Sequence, residues 1–344
     1  MIGHALDQAR GQAIEHGGAL DRAIAEFGGR REDWLDLSTG INPRPYPLPE
    51  FSSDAWHRLP DRDAEARLIA AARRFYAVPD ALEIVPAPGT QALIQALPRL
   101  LPGDTATILR GEAGTYGEHE HCCAGAGRKV RFAASPEDVA GDEALVVLVH
   151  PNNPDGQCRD REALAGLADT LRGGVLVVDE AFCDATPEAS VIPAMRDNVI
   201  VLRSFGKFFG LAGVRLGFAV CAPELAERIR AWFGPWAVSG PALEIGMAAL
   251  CDAPWIEATR NRMESDSTTL AKLLEENRFS VVGRNALFVT VRHDNAMDVA
   301  QALARLNILV RSFADRPSLL RFGLCGFEAE RLRLANALEA CVPA

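Results

Sequence analysis

The sequence has no excess of basic residues: 36 Lys and Arg stand against 46 Asp and Glu, a formal net charge of −10. Non-specific nucleic-acid binding and attachment to an anionic membrane surface both need a basic face, so neither is expected. No apolar run reaches the ~18 residues of a spanning helix. Residues 1–10 have neither the basic region nor the apolar core of a secretory signal, and a cytoplasmic chain is expected. A cysteine framework is missing too. The eight cysteines (Cys122, Cys123, Cys158, Cys183, Cys221, Cys251, Cys325 and Cys341) lie in apolar contexts without regular spacing, as reduced, buried thiols would. His119, His121, Cys122 and Cys123 crowd together, but no second ligand group of matching spacing follows. Packing is therefore favoured over a metal centre, and no metal is expected. There is no internal repeat and no low-complexity tract.

What is present suits a sizeable globular protein: 344 residues, 48% of them hydrophobic, enough for about two domains. Short β-branched runs at 82–86, 105–109, 144–149, 175–178, 199–202 and 218–221 alternate with helically spaced segments, a pattern of βαβ units and a mainly parallel sheet. Helical spacing also covers 5–27, around a Gly17-Gly18 turn, then 64–76, and a long stretch from 241 to about 277; residues 34–38 form a short extended piece. The proline-rich run 41–49 suits neither helix nor central strand and marks a boundary. Strands near 280–282, 286–291, 308–310 and 319–322, with a helix at 297–306, suggest a small α+β domain. The expected division is an N-terminal segment, 1–40, packing with the small domain, a large domain, 41–240, and the small C-terminal domain, 241–344.

The stretch from Arg203 to Gly217 places Lys207 among small residues, between Ser204 and Arg215, just past a buried strand. Ligands bind at the carboxyl ends of strands in open α/β sheets, and apolar and cationic neighbours lower a lysine's pKa enough to make it a nucleophile. Upstream, Gly89-Thr90-Gln91 turns into a helix whose free N–H groups and dipole favour a phosphate, with the Thr90 hydroxyl as a further donor. His150-Pro151-Asn152-Asn153-Pro154-Asp155-Gly156 is a turn after one buried strand, and Asp179-Glu180 ends another, where a carboxylate needs a partner. Singly, these are a loop lysine, two turns and a helix cap.

Together they resemble the pyridoxal-phosphate enzymes of the aspartate-aminotransferase fold, over nearly the whole chain and in that family's order. The resemblance implies a pyridoxal 5′-phosphate cofactor attached at Lys207. It implies a phosphate held by Ser204, Arg215, Gly89, Thr90 and Gln91, a ring nitrogen facing Asp179, and a ring oxygen facing Asn153. Tyr116 matches the family's stacking aromatic, so Lys207, Asp179 and Tyr116 are the expected catalytic group. Arg321, in Leu319-Leu320-Arg321-Phe322-Gly323, stands where the family keeps an arginine for the substrate α-carboxylate. The resemblance also implies a homodimer with active sites at the subunit interface, which suits the crossing at 42–49.

Within the family the chain is most similar to decarboxylases of L-threonine O-3-phosphate in cobalamin biosynthesis, then to histidinol-phosphate aminotransferases. His16-Gly17-Gly18 with Ser38 to Pro43, Phe182 where the aminotransferases have Tyr, and Pro235-Trp236-Ala237-Val238-Ser239 carry that likeness. It implies a small phosphorylated amino-acid substrate, with His16, Asn42, Asn153, Arg311 and Arg321 as its binding residues. The chain departs from the pattern at Leu59, where a Tyr reaching the partner subunit is usual, at Gly206 and at Ser239. A cofactor-sensing transcription regulator would need a DNA-binding domain that residues 1–40 do not supply. An inactive relative would have lost Lys207 or Asp179.

Overall fold

The β-branched runs become the interior of a seven-stranded sheet. The structure, a computed structural model, describes residues 17–341, so His16 and the helical expectation for 5–16 lie outside the described residues. Its strands are β1 (Leu35–Leu37), β2 (Glu83–Ala87), β3 (Thr105–Leu109), β4 (Lys129–Ala133), β5 (Leu145–Val149) and β6 (Val175–Asp179). They continue with β7 (Val199–Ser204), β8 (Gly217–Cys221), β9 (Ser280–Asn285), β10 (Phe288–Arg292), β11 (Ile308–Ser312) and β12 (Leu319–Gly323). The large sheet has the order β2-β8-β7-β6-β5-β3-β4 and the smaller one β1-β11-β12-β10-β9.

Every residue of β5 and β6 is buried, as unalternating apolar strands require when both faces of the sheet are covered. The large sheet is mainly parallel, and β8 is the strand that runs against its neighbours β7 and β2. Strands β2, β3, β5, β6 and β7 therefore end on one edge. The segments carrying Gly89, Tyr116, Asn153, Asp179 and Lys207 all leave from it. Because β8 returns antiparallel to β7, pairing Gly217 with Ser204, the intervening loop brings Lys207 and Arg215 back to the same place.

The helix expected at 64–76 forms as Arg62–Phe75, capped by Asp61, whose Oδ1 accepts from Ala64 N at 2.7 Å. The stretch from 241 is two helices, Gly240–Cys251 and Ala253–Glu276. Asp252 breaks it, accepting from Trp255 N at 3.1 Å, and Pro254 sits in the new first turn. Two elements carry no sequence signal strong enough to predict them. β4 is an edge strand with exposed Lys129, Arg131 and Phe132, and helix Glu328–Cys341 buries only a narrow stripe of Leu334, Ala337 and Leu338. All eight cysteines are free, but the expectation of burial holds for only four: Cys325 and Cys341 are half-buried, and Cys158, in irregular chain after the turn at 153–155, and Cys251, at a helix end, are exposed.

Beneath the site edge lies a buried ion cluster. Arg203, the residue before Ser204, donates to Glu180 Oε2 and to Asp184 Oδ1, and all three side chains are almost wholly buried. Ser190 Oγ and Val191 N donate to Glu180 at 2.7 and 2.6 Å, and the Arg203 guanidinium lies 4.4 Å from the Tyr76 ring centroid. Burial pushes the Asp184 carboxyl above its ordinary pKa, against the pull of Arg203. Arg203→Ala leaves two buried carboxylates without their cation and should cost about 3–5 kcal/mol. Urea denaturation would measure it; a loss under about 1 kcal/mol, the range of an exposed pair, would show that the cluster does not hold these strands together.

Candidate active site

At the shared strand edge lies a cavity of about 380 Å³, lined by Gly89, Thr90, Gln91, Tyr116, Asn153, Asp179, Ser204, Lys207 and Arg215, with Glu118, Phe182 and other side chains filling its walls. All nine residues expected to bind the cofactor thus meet in one place. Gly89 is the N-cap of helix Thr90–Leu100, with φ +85°, and a Cβ there would fall 2.5 Å from Arg215 Nη2. The arginine is packed against the helix start, so guanidinium and backbone N–H groups face one spot, a cradle for a doubly charged anion. Arg215 itself holds φ +55°, an uncommon conformation for a non-glycine residue, with Nη1 donating to Ala212 O at 3.0 Å. The Thr90 hydroxyl donates instead to Arg203 O at 3.1 Å, which leaves the backbone as this residue's donor to the cavity.

Asp179 is 2% exposed, and its charge is met by a histidine whose sequence neighbours suggest only packing: His119 Nε2 lies 2.8 Å from Asp179 Oδ2. Ala181 N donates to Oδ1 at 3.1 Å. Toward a carboxylate, His119 carries its proton on Nε2, which fixes tautomer and ring orientation. Its place three residues after Tyr116 puts it near the site, but a partner 60 residues away cannot be read from spacing. His121, Cys122 and Cys123 do not join it; among the described residues no group of three or more metal-ligating side chains forms.

Lys207 has its pKa lowered to about 8. Burial is the larger cause, Arg321 and Arg215 add to it, and Asp179 opposes them. Its Nζ lies 5.6 Å from the Phe182 ring centroid, and Phe182 meets Phe288 edge-on at 5.1 Å. Gly206, where the family pattern has a hydroxyl residue, is needed here: a Cβ would fall 2.7 Å from Ala212 Cα. Tyr116 packs edge-on against His119 and donates to Gln91 Oε1 at 3.4 Å; burial, then Glu118 and Asp179, raises its pKa.

The expected substrate residues separate. Arg321 is 6% exposed, donates to Asn153 Oδ1 and, at 2.9 Å, to Ser38 O, and lies 5.0 Å from the Phe288 centroid. Burial, with Arg311 nearby, lowers its pKa to about 10. Arg311 is opposite Arg321 across β11 and β12, and neither arginine lines the cavity, Arg321 reaching it through Asn153. Asn42 does not line it either. Its Nδ2 donates to Phe208 O and its Oδ1 accepts from Arg262 Nη2, both at 2.9 Å, so its amide braces the short Phe205–Phe208 helix that carries the lysine.

The chain matches the model for aminotransferases of class I and II over residues 33–338. It belongs to the class I and II aminotransferase family. Threonine-phosphate decarboxylase of a Sinorhizobium species is 41% identical over 340 residues, covering 94% of this chain and 97% of that protein. The enzyme of the same name from Pseudomonas aeruginosa is 41% identical over 330 residues, with the same coverage. Among solved structures, histidinol-phosphate aminotransferase from Sinorhizobium meliloti in complex with pyridoxal-5′-phosphate superposes with a TM-score of 0.83, at 21% identity, over 96% of each chain. This aminotransferase-family chain has three lysines, and Lys129 and Lys272 are both exposed.

That scarcity makes the Lys207 amine separately measurable. In cofactor-free protein, labelling with an amine reagent followed by peptide mass spectrometry should give Lys207 a midpoint near pH 8, below the ordinary lysine range, with Lys129 and Lys272 as internal references. Arg321→Gln removes a neighbouring cation and should move the Lys207 midpoint upward. A Lys207 profile that coincides with those of the two exposed lysines would refute the electrostatic account.

Proposed function

We propose that this protein decarboxylates L-threonine O-3-phosphate to (R)-1-amino-2-propanol O-2-phosphate, with pyridoxal 5′-phosphate attached at Lys207, in cobalamin biosynthesis. The observation that carries the reading is one cavity uniting a low-pKa lysine, a buried carboxylate and an Arg–glycine anion cradle, in a chain 41% identical to threonine-phosphate decarboxylases along nearly its full length. These residues fit the cofactor. Gly89, the start of the following helix, Ser204 and Arg215 would hold its phosphate, Asp179 its ring nitrogen, Asn153 its ring oxygen and Tyr116 its ring face. When bound, the cofactor supplies an electron sink for the bond broken at the substrate Cα.

The chain's own groups do the rest. Arg321, held by Asn153 and Ser38, presents a planar donor pair to the substrate α-carboxylate. His119 keeps Asp179 oriented. Lys207, with a pKa near 8, exists partly as free amine at neutral pH and would hold and return a proton at the substrate Cα. Phe182 offers no hydroxyl to the ring oxygen, leaving Asn153 as the side-chain donor there, which favours the decarboxylase over the histidinol-phosphate aminotransferase alternative. We also assign the protein a homodimeric state and a cytoplasmic location. The dimer is supported by large apolar side chains left exposed at Leu48, Trp56, Leu59 and Trp236. For location, no helix among the described residues is long and apolar enough to cross a membrane.

Incubation of the holoprotein with L-threonine O-3-phosphate should release carbon dioxide, whereas histidinol phosphate with 2-oxoglutarate should give no glutamate; the opposite pattern would make the aminotransferase reading correct. Lys207→Ala should abolish turnover and leave no cofactor fixed to the chain by borohydride. Sedimentation should show a dimer, and a fully active monomer would remove that assignment.

A further inference from the structure

Three arginines lie close together outside the cavity lining, and one of them, Arg321, is bonded to the lining residue Asn153. Arg311 and Arg321 are directly opposed across β11 and β12, which puts their side chains on one face at close range. The third, Arg316, comes from the turn between those strands. Arg311 and Arg316 both lie over the ring of Phe313, 5.1 and 5.4 Å from its centroid. Phe313 is itself buried against Ala113 and Leu319. On its other side Arg316 fills the space above Gly114: a Cβ on that glycine would fall 1.4 Å from Arg316 Nη1. Gly114 has φ +85° and stands two residues before Tyr116, which lines the cavity. Arg316 is thus clamped between an aromatic ring and a bare stretch of backbone two residues from a side chain that lines the cavity.

Its hydrogen-bonding capacity is incompletely used. Asp315, mostly exposed, lies 3.2 Å from Nη2, but the buried Nε has no hydrogen-bond partner. An unmet buried N–H is costly to keep, and the Nε of Arg321 is unmet in the same way. Arg321 is already directed to Asn153 and Ser38 and suits a carboxylate. The planar fork of Arg316, over the same ring as Arg311, suits a phosphate.

We propose that Arg316 binds the substrate phosphate and so sets the preference for a phosphorylated over an unphosphorylated amine. This rests on the decarboxylase reading of the site, in which the substrate carries a phosphate one short side chain from its α-carbon. Phosphoethanolamine and ethanolamine test it in the holoenzyme, because neither has a carboxylate to lose and each can be titrated against the absorbance of the bound cofactor. The wild type should prefer phosphoethanolamine. Arg316→Gln should reduce that preference by about tenfold or more, the size of a lost charge-assisted hydrogen bond, and Arg316→Lys should recover part of it. The preference is a ratio within each variant, so a folding defect that weakens both amines alike leaves it unmoved. An unchanged ratio in Arg316→Gln overturns the proposal. Should the wild type release no carbon dioxide from L-threonine O-3-phosphate while the ratio still depends on Arg316, the decarboxylase reading falls and the phosphate assignment stands. Carbon dioxide release with a ratio indifferent to Arg316 keeps the decarboxylase reading and removes the phosphate assignment.

Discussion

The geometry of the site depends on a buried cation shared by two strands. Arg203 immediately precedes Ser204 at the end of β7, and its partner Glu180 immediately follows Asp179 at the end of β6. Hydrogen bonds between parallel strands fix their spacing but leave their last residues free to fray. Here the final residues are tied by an ion pair that neither member can leave without stranding a charge in the core. Asp184 and Tyr76 close the cluster from the side, and Arg260 Nε donates to Asp184 O at 2.9 Å, drawing the Ala253–Glu276 helix into the same unit. Ser204 and Asp179, which face the cavity, are each one position away from a residue that cannot move.

Above that floor, two cations are kept close without being allowed to meet. Lys207 lies against Phe182 and Arg321 against Phe288, and the two rings meet edge-on. Each cation has a π face to rest on, while the apolar pair withholds the water that would screen one from the other. The amine responds by losing affinity for its proton, and the guanidinium, which cannot usefully do so, is fixed by Asn153 and Ser38 O. Repulsion between neighbours of like sign, added to burial, is what makes the lysine reactive near neutrality.

Much of this is legible in the sequence because strand ends and short motifs are local. Unalternating runs mark β5, β6 and β7, and the residues just after them include Asn153, Asp179 and Lys207. Pairings across the sheet are not legible in that way. Asp179 and His119 are 60 residues apart, and nothing local distinguishes a histidine that supports a carboxylate from one that packs. Asn42 shows a related limit: an asparagine beside prolines has the chemistry of a ligand, yet its amide is consumed by Phe208 O and Arg262. β4 and the last helix are hard to see because an exposed edge strand and a helix with a narrow buried stripe show little periodicity. Gly206 reads in sequence as the loss of a hydroxyl; the contact with Ala212 makes it a steric necessity of this loop.

Three of the 36 cationic side chains are lysines, so the surface meets its solvent and its ion-pair partners almost entirely through guanidinium groups. Guanidinium and ammonium are similar as charges but not as reagents, since an arginine keeps its proton and offers no free amine. For the aldehyde cofactor proposed for this cavity, the protein is therefore a nearly blank surface with few competing nucleophiles. Lys129 and Lys272, both exposed and each beside a carboxylate, are the other two lysines. Fidelity of attachment then follows from amino-acid choice over the whole chain as much as from the shape of the pocket, and excess cofactor would leave the rest of the molecule largely unmodified.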